Sequence, residues 1–138
     1  PQEVDLAVIV IPAEHVLQVF KECAEKGVKA CIIITAGFGE AGEEGKKMQE
    51  EIVQIARENG IAVVGPNCMG IVNTSSDLNT LMTRNLPAKG NISMVSQSGT
   101  VGLVLMGAMA DMGGGISKFV SSGNEAWHEK DFDVLQSL

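Results

Sequence analysis

Apolar positions along the chain fall into short unbroken blocks separated by stretches in which they recur every three or four residues. Residues 6–11 are apolar throughout. That is the pattern of a strand buried on both faces of a parallel sheet, and Pro12 ends it. Residues 14–26 carry a helical period: Val16, Leu17, Phe20, Cys23 and Ala24 share one face, and Gly27 stands where a helix C-cap belongs. A second buried strand is expected at 28–35, around Ile32-Ile33-Ile34. A glycine-rich loop at 36–45 then leads into an amphipathic helix at about 46–59, which should bury Met48, Ile52, Ile55 and Ala56. Gly60 caps that helix, and 61–64 is the third strand. The order β-α-β-α-β, closed by right-handed crossovers, gives an α/β fold with a parallel, Rossmann-like sheet.

The pattern breaks at 65–90. Gly65-Pro66-Asn67-Cys68-Met69-Gly70 reads as a turn, followed by a polar stretch rich in Asn, Ser and Thr, and Leu86-Pro87-Ala88-Lys89-Gly90 reads as a linker. A new series then begins, with a strand at 92–95, a helix at 100–112 and a strand at 116–120. A last helix starts near Asp131. Gly113-Gly114-Gly115 separates the middle helix from the strand after it. That helix (Val101, Leu103, Val104, Leu105, Met106, Met109) is apolar nearly all round and is therefore expected to be buried. The final helix has room for only two turns before Leu138, as though the sequence were cut there.

Charge and composition narrow the functions open to such a chain. A net charge of −7 over 138 residues argues against non-specific binding to nucleic acid or an anionic membrane, because a polyanion is repelled. No apolar run reaches the roughly 18–20 residues of a membrane span. The opening Pro-Gln-Glu-Val-Asp has no basic leader region. Three cysteines at no metal-ligand spacing fit reduced thiols, so a cytoplasmic setting is expected. Asn73-Thr74-Ser75 and Asn91-Ile92-Ser93 match the glycosylation pattern by chance. The sequence has no internal repeat and no low-complexity segment.

Val95-Ser96-Gln97-Ser98-Gly99-Thr100-Val101-Gly102 holds the most chemistry. A strand there runs into a small, hydroxyl-rich turn and straight on into a helix. This arrangement puts the free N–H groups of a helix N-terminus, with two or three hydroxyls, where a phosphate or carboxylate can approach. The plainer alternative is an N-cap in which Ser98 or Thr100 satisfies a helix donor and binds nothing. Gly37-Phe38-Gly39-Glu40-Ala41-Gly42 matches the G-x-G-x-x-G dinucleotide fingerprint. The helix it opens starts Glu43-Glu44, however, which would repel a pyrophosphate. Cys68 lies at a strand end, where open α/β sheets bind ligands. No base stands near it in sequence to activate a thiol, so it is expected to shape a cleft rather than attack. His15 and His128 have no Cys, His or Asp at metal-ligand spacing and read as solvated surface groups.

Five segments together resemble the NDP-forming acyl-CoA synthetases, which include the α subunit of succinate–CoA ligase and the ADP-forming acetate–CoA ligases. They are Ile11-Pro12-Ala13, Ile34-Thr35-Ala36-Gly37-Phe38, Gly65-Pro66-Asn67-Cys68-Met69-Gly70, Val95-Ser96-Gln97-Ser98-Gly99-Thr100 and Ser122-Gly123-Asn124-Glu125-Ala126. Singly each is weak, but their order and spacing match along essentially the whole chain. The Ala-Gly-Phe-Gly-Glu loop and the Gly-Asn-Glu-Ala turn are closer to the acetate–CoA ligase branch. The succinate branch has an acid where this chain has Ala36, and a tyrosine after its Ser-Gly-Thr turn; this sequence has no tyrosine.

The resemblance implies two domains. Residues 1–87 would be the later half of a CoA-binding Rossmann-like domain, and residues 91–138 the start of a flavodoxin-like ligase domain. It implies that CoA lies against Pro12, Thr35, Ala36, Gly37, Pro66, Asn67 and Cys68. It implies that Ser96, Gln97, Ser98, Gly99 and Thr100 hold a phosphoryl group carried on a histidine. In the family reaction phosphate passes from ATP to that histidine and on to a carboxylate, and the CoA thiol then displaces it from the acyl phosphate. No Gly-His-x-Gly motif occurs here, and His128, in Trp-His-Glu-Lys, does not supply one. The glycine-rich CoA phosphate loop and the ATP-grasp part are also absent from this sequence. The expectation is an internal segment, inactive alone, of a ligase that uses CoA and a small carboxylate, and ATP/ADP with Mg2+ only when full length. Its partners would be the remaining domains or subunit, in an oligomer, because an open sheet edge invites pairing. Rival readings are a CoA-binding segment of a protein acetyltransferase, a non-catalytic CoA-binding module, and, on the 37–42 match alone, an NAD-dependent dehydrogenase.

Overall fold

A computed structural model describes residues 2–83 and 88–126. His128 and the helix expected from Asp131 lie outside the described residues. Three parallel strands, β1 (Leu6–Ile9), β2 (Ala30–Ile33) and β3 (Ala62–Val64), form one sheet in the order β1-β2-β3. Val8 lies opposite Ile32, and Ile32 opposite Val64. The crossovers are helices α1 (Ala13–Lys26) and α2 (Glu43–Asn59). Both helices end on glycines in the left-handed region, Gly27 (φ 77°) and Gly60 (φ 66°), where a side chain would be strained. α2 begins at Glu43, three residues before the sequence pattern placed it, after a single 3-10 turn at Gly39–Ala41. An acidic first turn suits the positive end of a helix dipole.

Both crossovers propagate in one direction, so α1 and α2 lie on the same face of the sheet. Val16 and Phe20 of α1 and Ile52 and Ala56 of α2 pack there against Ile9, Cys31, Ile33 and Val63, with Phe38 fully buried beneath the loop. Leu17, Cys23, Ala24, Met48 and Ile55 lie half-buried around this core, on the faces expected of them. The other face, Ile32 and Ile34, is covered by Cys68 and Ile71. The expectation that residues 6–11 are buried on both sides therefore fails at Val8 and Val10, which are exposed. β1 is an edge strand, and no helix covers its second face among the described residues.

The polar stretch after Gly70 contains a hairpin that alternation alone did not reveal, β4 (Ile71–Asn73) and β5 (Leu78–Asn79). Its strands are three and two residues long, too short to show a period. β6 (Lys89–Ser96), α3 (Gly99–Asp111) and β7 (Ile116–Ser121) follow. They join the hairpin in a four-stranded mixed sheet, β5-β4-β7-β6, in which β6 and β7 run parallel and β4 pairs antiparallel with β7. Phe119, Ile116, Val72 and Met106 form its core. α3 departs from expectation. Gly102 and Met106 are buried, while Val101, Val104 and Leu105 are exposed. Only one face of the helix rests on β6 and β7, and nothing among the described residues covers the rest.

Candidate functional site

The carboxyl ends of β1, β2 and β3 deliver three loops to one edge of the sheet, the region where open α/β sheets bind ligands. Thr35 ties two of them together. Its Oγ1 donates to the Ile11 carbonyl at 2.7 Å and accepts from the Ile11 N–H at 3.3 Å. The Thr35 carbonyl accepts from the Asn67 N–H at 2.9 Å, which brings in the third loop. Pro12 caps α1. Ala13 lies so close to Gly37 that a Cβ on Gly37 would meet the alanine's Cβ at 3.0 Å. Ala36 is exposed beside them, and Pro66 is fully buried under the third loop.

At the start of the second sheet, Ser96 Oγ donates to the Ser98 carbonyl at 2.8 Å and closes the turn. Ser98 Oγ accepts from the Val101 N–H at 3.3 Å. Ser98 is therefore the helix cap that the plainer reading described. The cap uses an acceptor lone pair and leaves its O–H free to donate. Gly99 and Thr100 open the helix, where N–H groups have no intrahelical acceptor.

A cleft of about 430 Å³ joins these two regions. It is lined by Asn67, Cys68 and Met69, by Gln97, Ser98, Gly99 and Thr100, and by Gly123 and Asn124. The fold thus brings Asn67 and Cys68 of the first sequence-predicted set together with Gln97, Ser98, Gly99 and Thr100 of the second. Pro12, Thr35, Ala36, Gly37, Pro66 and Ser96 do not line it. They support the loops behind it or continue along the sheet edge. Met69 is held in place by its N–H, which donates at 3.0 Å to Oγ of the buried Ser121.

Cys68 has only an edge on this cleft. It is 5% exposed, and its thiol donates to the Ile33 carbonyl at 3.3 Å. Burial raises its pKa, outweighing hydrogen bonds that act the other way, so the thiol is protonated and shapes the wall. Burial beside Cys23 pushes the Cys31 thiol up to about 12. Cys23, Cys31 and Cys68 are all free.

Residues 123–126 supply what the sequence did not single out as a site. The Asn124 N–H donates to the Pro66 carbonyl at 2.9 Å and the Ala126 N–H to the Gly65 carbonyl at 3.0 Å, which stitches this segment to the 65–67 turn. The Asn124 side-chain amide donates to the Glu40 carboxylate and, at 3.1 Å, to Gln49 Oε1. Its Oδ1 accepts from Asn67 Nδ2 at 3.2 Å. Glu40 also accepts from the N–H groups of Gly37 at 2.5 Å and Phe38 at 3.2 Å. Burial pushes the Glu40 carboxyl up, but the bonds from Asn124 and the loop amides outweigh it and hold its pKa below the ordinary value. The amides of the G-x-G-x-x-G loop are thus filled by the chain's own carboxylate, at the place where a dinucleotide fingerprint would receive a pyrophosphate. The signal for Asn124 was its place in Gly123-Asn124-Glu125-Ala126. Its partners are far off in sequence, which hid the role.

Among the described residues no helix is long and apolar enough to cross a membrane, and no group of three His, Cys, Asp or Glu could hold a metal ion.

A parallel α/β sheet with its loops gathered at the carboxyl edge, followed by a strand–turn–helix unit, has clear counterparts among known proteins. Residues 1–74 match the family model of the CoA binding domain, and residues 89–136 that of the succinyl-CoA ligase like flavodoxin domain. The chain belongs to the CoA-binding domain family. It is 50% identical, over its whole length and 30% of the relative's, to the α subunit of acetate–CoA ligase [ADP-forming] II of Pyrococcus furiosus. It is 47% identical, over 99% of its length and 29% of the relative's, to the α subunit of the form I enzyme of the same organism. Among solved structures, the dinucleotide forming acetyl-coenzyme A synthetase 1 of Ca. Korarchaeum cryptofilum, in complex with phosphate and ADP, superposes with a TM-score of 0.88. That structure is 39% identical, and the match covers 99% of this chain and 29% of the other. The chain spans about 30% of the length of these relatives.

Proposed function

We propose that this chain is the part of an ADP-forming acyl-CoA synthetase, of the acetate–CoA ligase type, in which the CoA-binding edge meets the phosphoryl cradle. One observation carries the reading: residues 67–69 and the 97–100 turn line a single cleft. Residues 1–87 and 91–138 are its two domains, and the β4–β5 hairpin of the first is laid onto the sheet of the second. CoA runs along Pro12, Thr35, Ala36 and Gly37 toward Pro66, Asn67 and Cys68, and when bound it supplies the thiol that ends in the product thioester. The residues present fit such a group, because Asn67 and Cys68 are small and the 97–100 turn of the same cleft offers donors without a formal positive charge.

At that turn, the amides of Gly99 and Thr100 and the hydroxyls of Ser98 and Thr100 surround an anion as it arrives and as its charge shifts during transfer. Ser96 and Gln97 keep the turn in register with 122–123, whose N–H groups donate to their carbonyls at 2.9 and 3.3 Å. The small carboxylate substrate, ATP/ADP with Mg2+, the histidine and the ATP-grasp part belong to the complete enzyme, which we take to be a cytoplasmic oligomer. Calorimetric titration of the full-length protein with CoA and with NAD tests the reading. CoA binding without NAD binding is expected; tight NAD binding with no CoA binding overturns it.

A further inference from the structure

The amides of Asn124 and Asn67 form a chain whose polarity is fixed at its far end. Ionised Glu40 can only accept, and two backbone N–H groups already point at it. Gln49 is fixed likewise, since its Oε1 takes the Gly39 N–H at 3.1 Å and so faces Asn124 as an acceptor. Asn124 must therefore spend both hydrogens of its NH2 group on Glu40 and Gln49. That turns its oxygen toward Asn67, and Asn67 must answer with its own NH2 group. The amide of Asn67 has then one orientation left, with its oxygen and the second hydrogen of its NH2 group not used by this chain of bonds, at a residue that lines the cleft.

We propose that Asn67 is a specificity-determining residue that presents a hydrogen-bond acceptor to the cleft, and that Glu40, Gln49 and Asn124 are positioning residues that keep it so. The counterpart of that oxygen in the ligand is a donor, such as an amide N–H. The helix-start amides and the hydroxyls belong to the 97–100 turn of the same cleft, so the cleft offers donors for an anion as well as an acceptor for an N–H. This rests on the reading of the cleft as a CoA site. The arm of CoA ends in an amide N–H two carbons from the thiol, and that N–H is the group Asn67 receives.

Titrating the full-length enzyme with CoA, and with an analogue in which the amide nearest the thiol is an ester, tests this directly. The wild type should prefer CoA by about five- to tenfold, the worth of one neutral hydrogen bond. Asn67→Gly, which keeps the left-handed backbone at that position (φ 56°) accessible, should bring the preference below twofold. So should Glu40→Gln with Gln49→Met, which releases both fixed acceptors and lets Asn124 and Asn67 turn over. A purely structural role would weaken both ligands alike and leave the ratio unchanged. Equal binding of both ligands by the wild type, or a preference that survives in Asn67→Gly, overturns the proposal. Binding of neither ligand overturns the CoA reading itself.

Discussion

Ser98 shows how one side chain can serve structure and chemistry together. Its oxygen caps α3 by accepting from the Val101 N–H, while its proton and the first amides of the helix remain available to an anion. Aspartate caps a helix as well as serine does, so Ser98→Asp keeps the fold and places a fixed negative charge at the proposed phosphoryl site. In the full-length enzyme, phosphorylation of the histidine by labelled ATP should fall by at least about tenfold, with CoA affinity nearly unchanged. Phosphorylation at the wild-type rate would reduce the turn to a cap. The turn itself was legible in the sequence, because small hydroxyl residues between a strand and an apolar helix mark a helix start. Cys68 was legible as a wall but not as a buried donor to Ile33. Glu40 and Asn124 were not legible at all as partners, being 84 residues apart.

α3 is the element on which pattern and structure part. Its sequence is apolar on every side, yet only the face carrying Gly102 and Met106 meets the sheet. Two of its glycines should respond to alanine with opposite signs. A Cβ on Gly102 would sit 2.5 Å from the ring of the fully buried Phe119, and such overpacking costs about 1–3 kcal/mol, more than helix propensity returns. A Cβ on Gly107 would meet nothing within 4 Å, so Gly107→Ala should stabilise by about 0.5–1 kcal/mol. Urea unfolding of the two variants gives the signs; a neutral or stabilising Gly102→Ala would mean that α3 does not lie on Phe119 as described. The strands and helices of the first sheet were read closely because their core positions repeat over several turns. The β4–β5 hairpin escaped because five strand residues carry no periodicity and β4 pairs with β7 only far along the chain, Ile71 with Val120 and Asn73 with Lys118.

For the molecule as a whole, two sheets share one cleft and are clasped by residues 123–126, while an apolar surface remains on α3. Val104 is 66% exposed and Leu105 47%. Replacing both with lysine should shift the stability of the 138-residue chain by no more than about 0.5 kcal/mol for each and lower its binding of an apolar dye. A large loss of stability would show the face to be packed. The sequence by itself determined the alternation of strands and helices, the caps and the small-residue turn at 96–100, because each depends on spacing within a few residues. Only the tertiary structure decided which face of β1 and α3 is covered, that residues 67–69 and 97–100 line one cleft, and that Glu40, Asn124 and Asn67 are joined in one chain of hydrogen bonds. Those outcomes depend on groups distant in sequence meeting in space, where sheet order and crossover hand, not local pattern, set the neighbours.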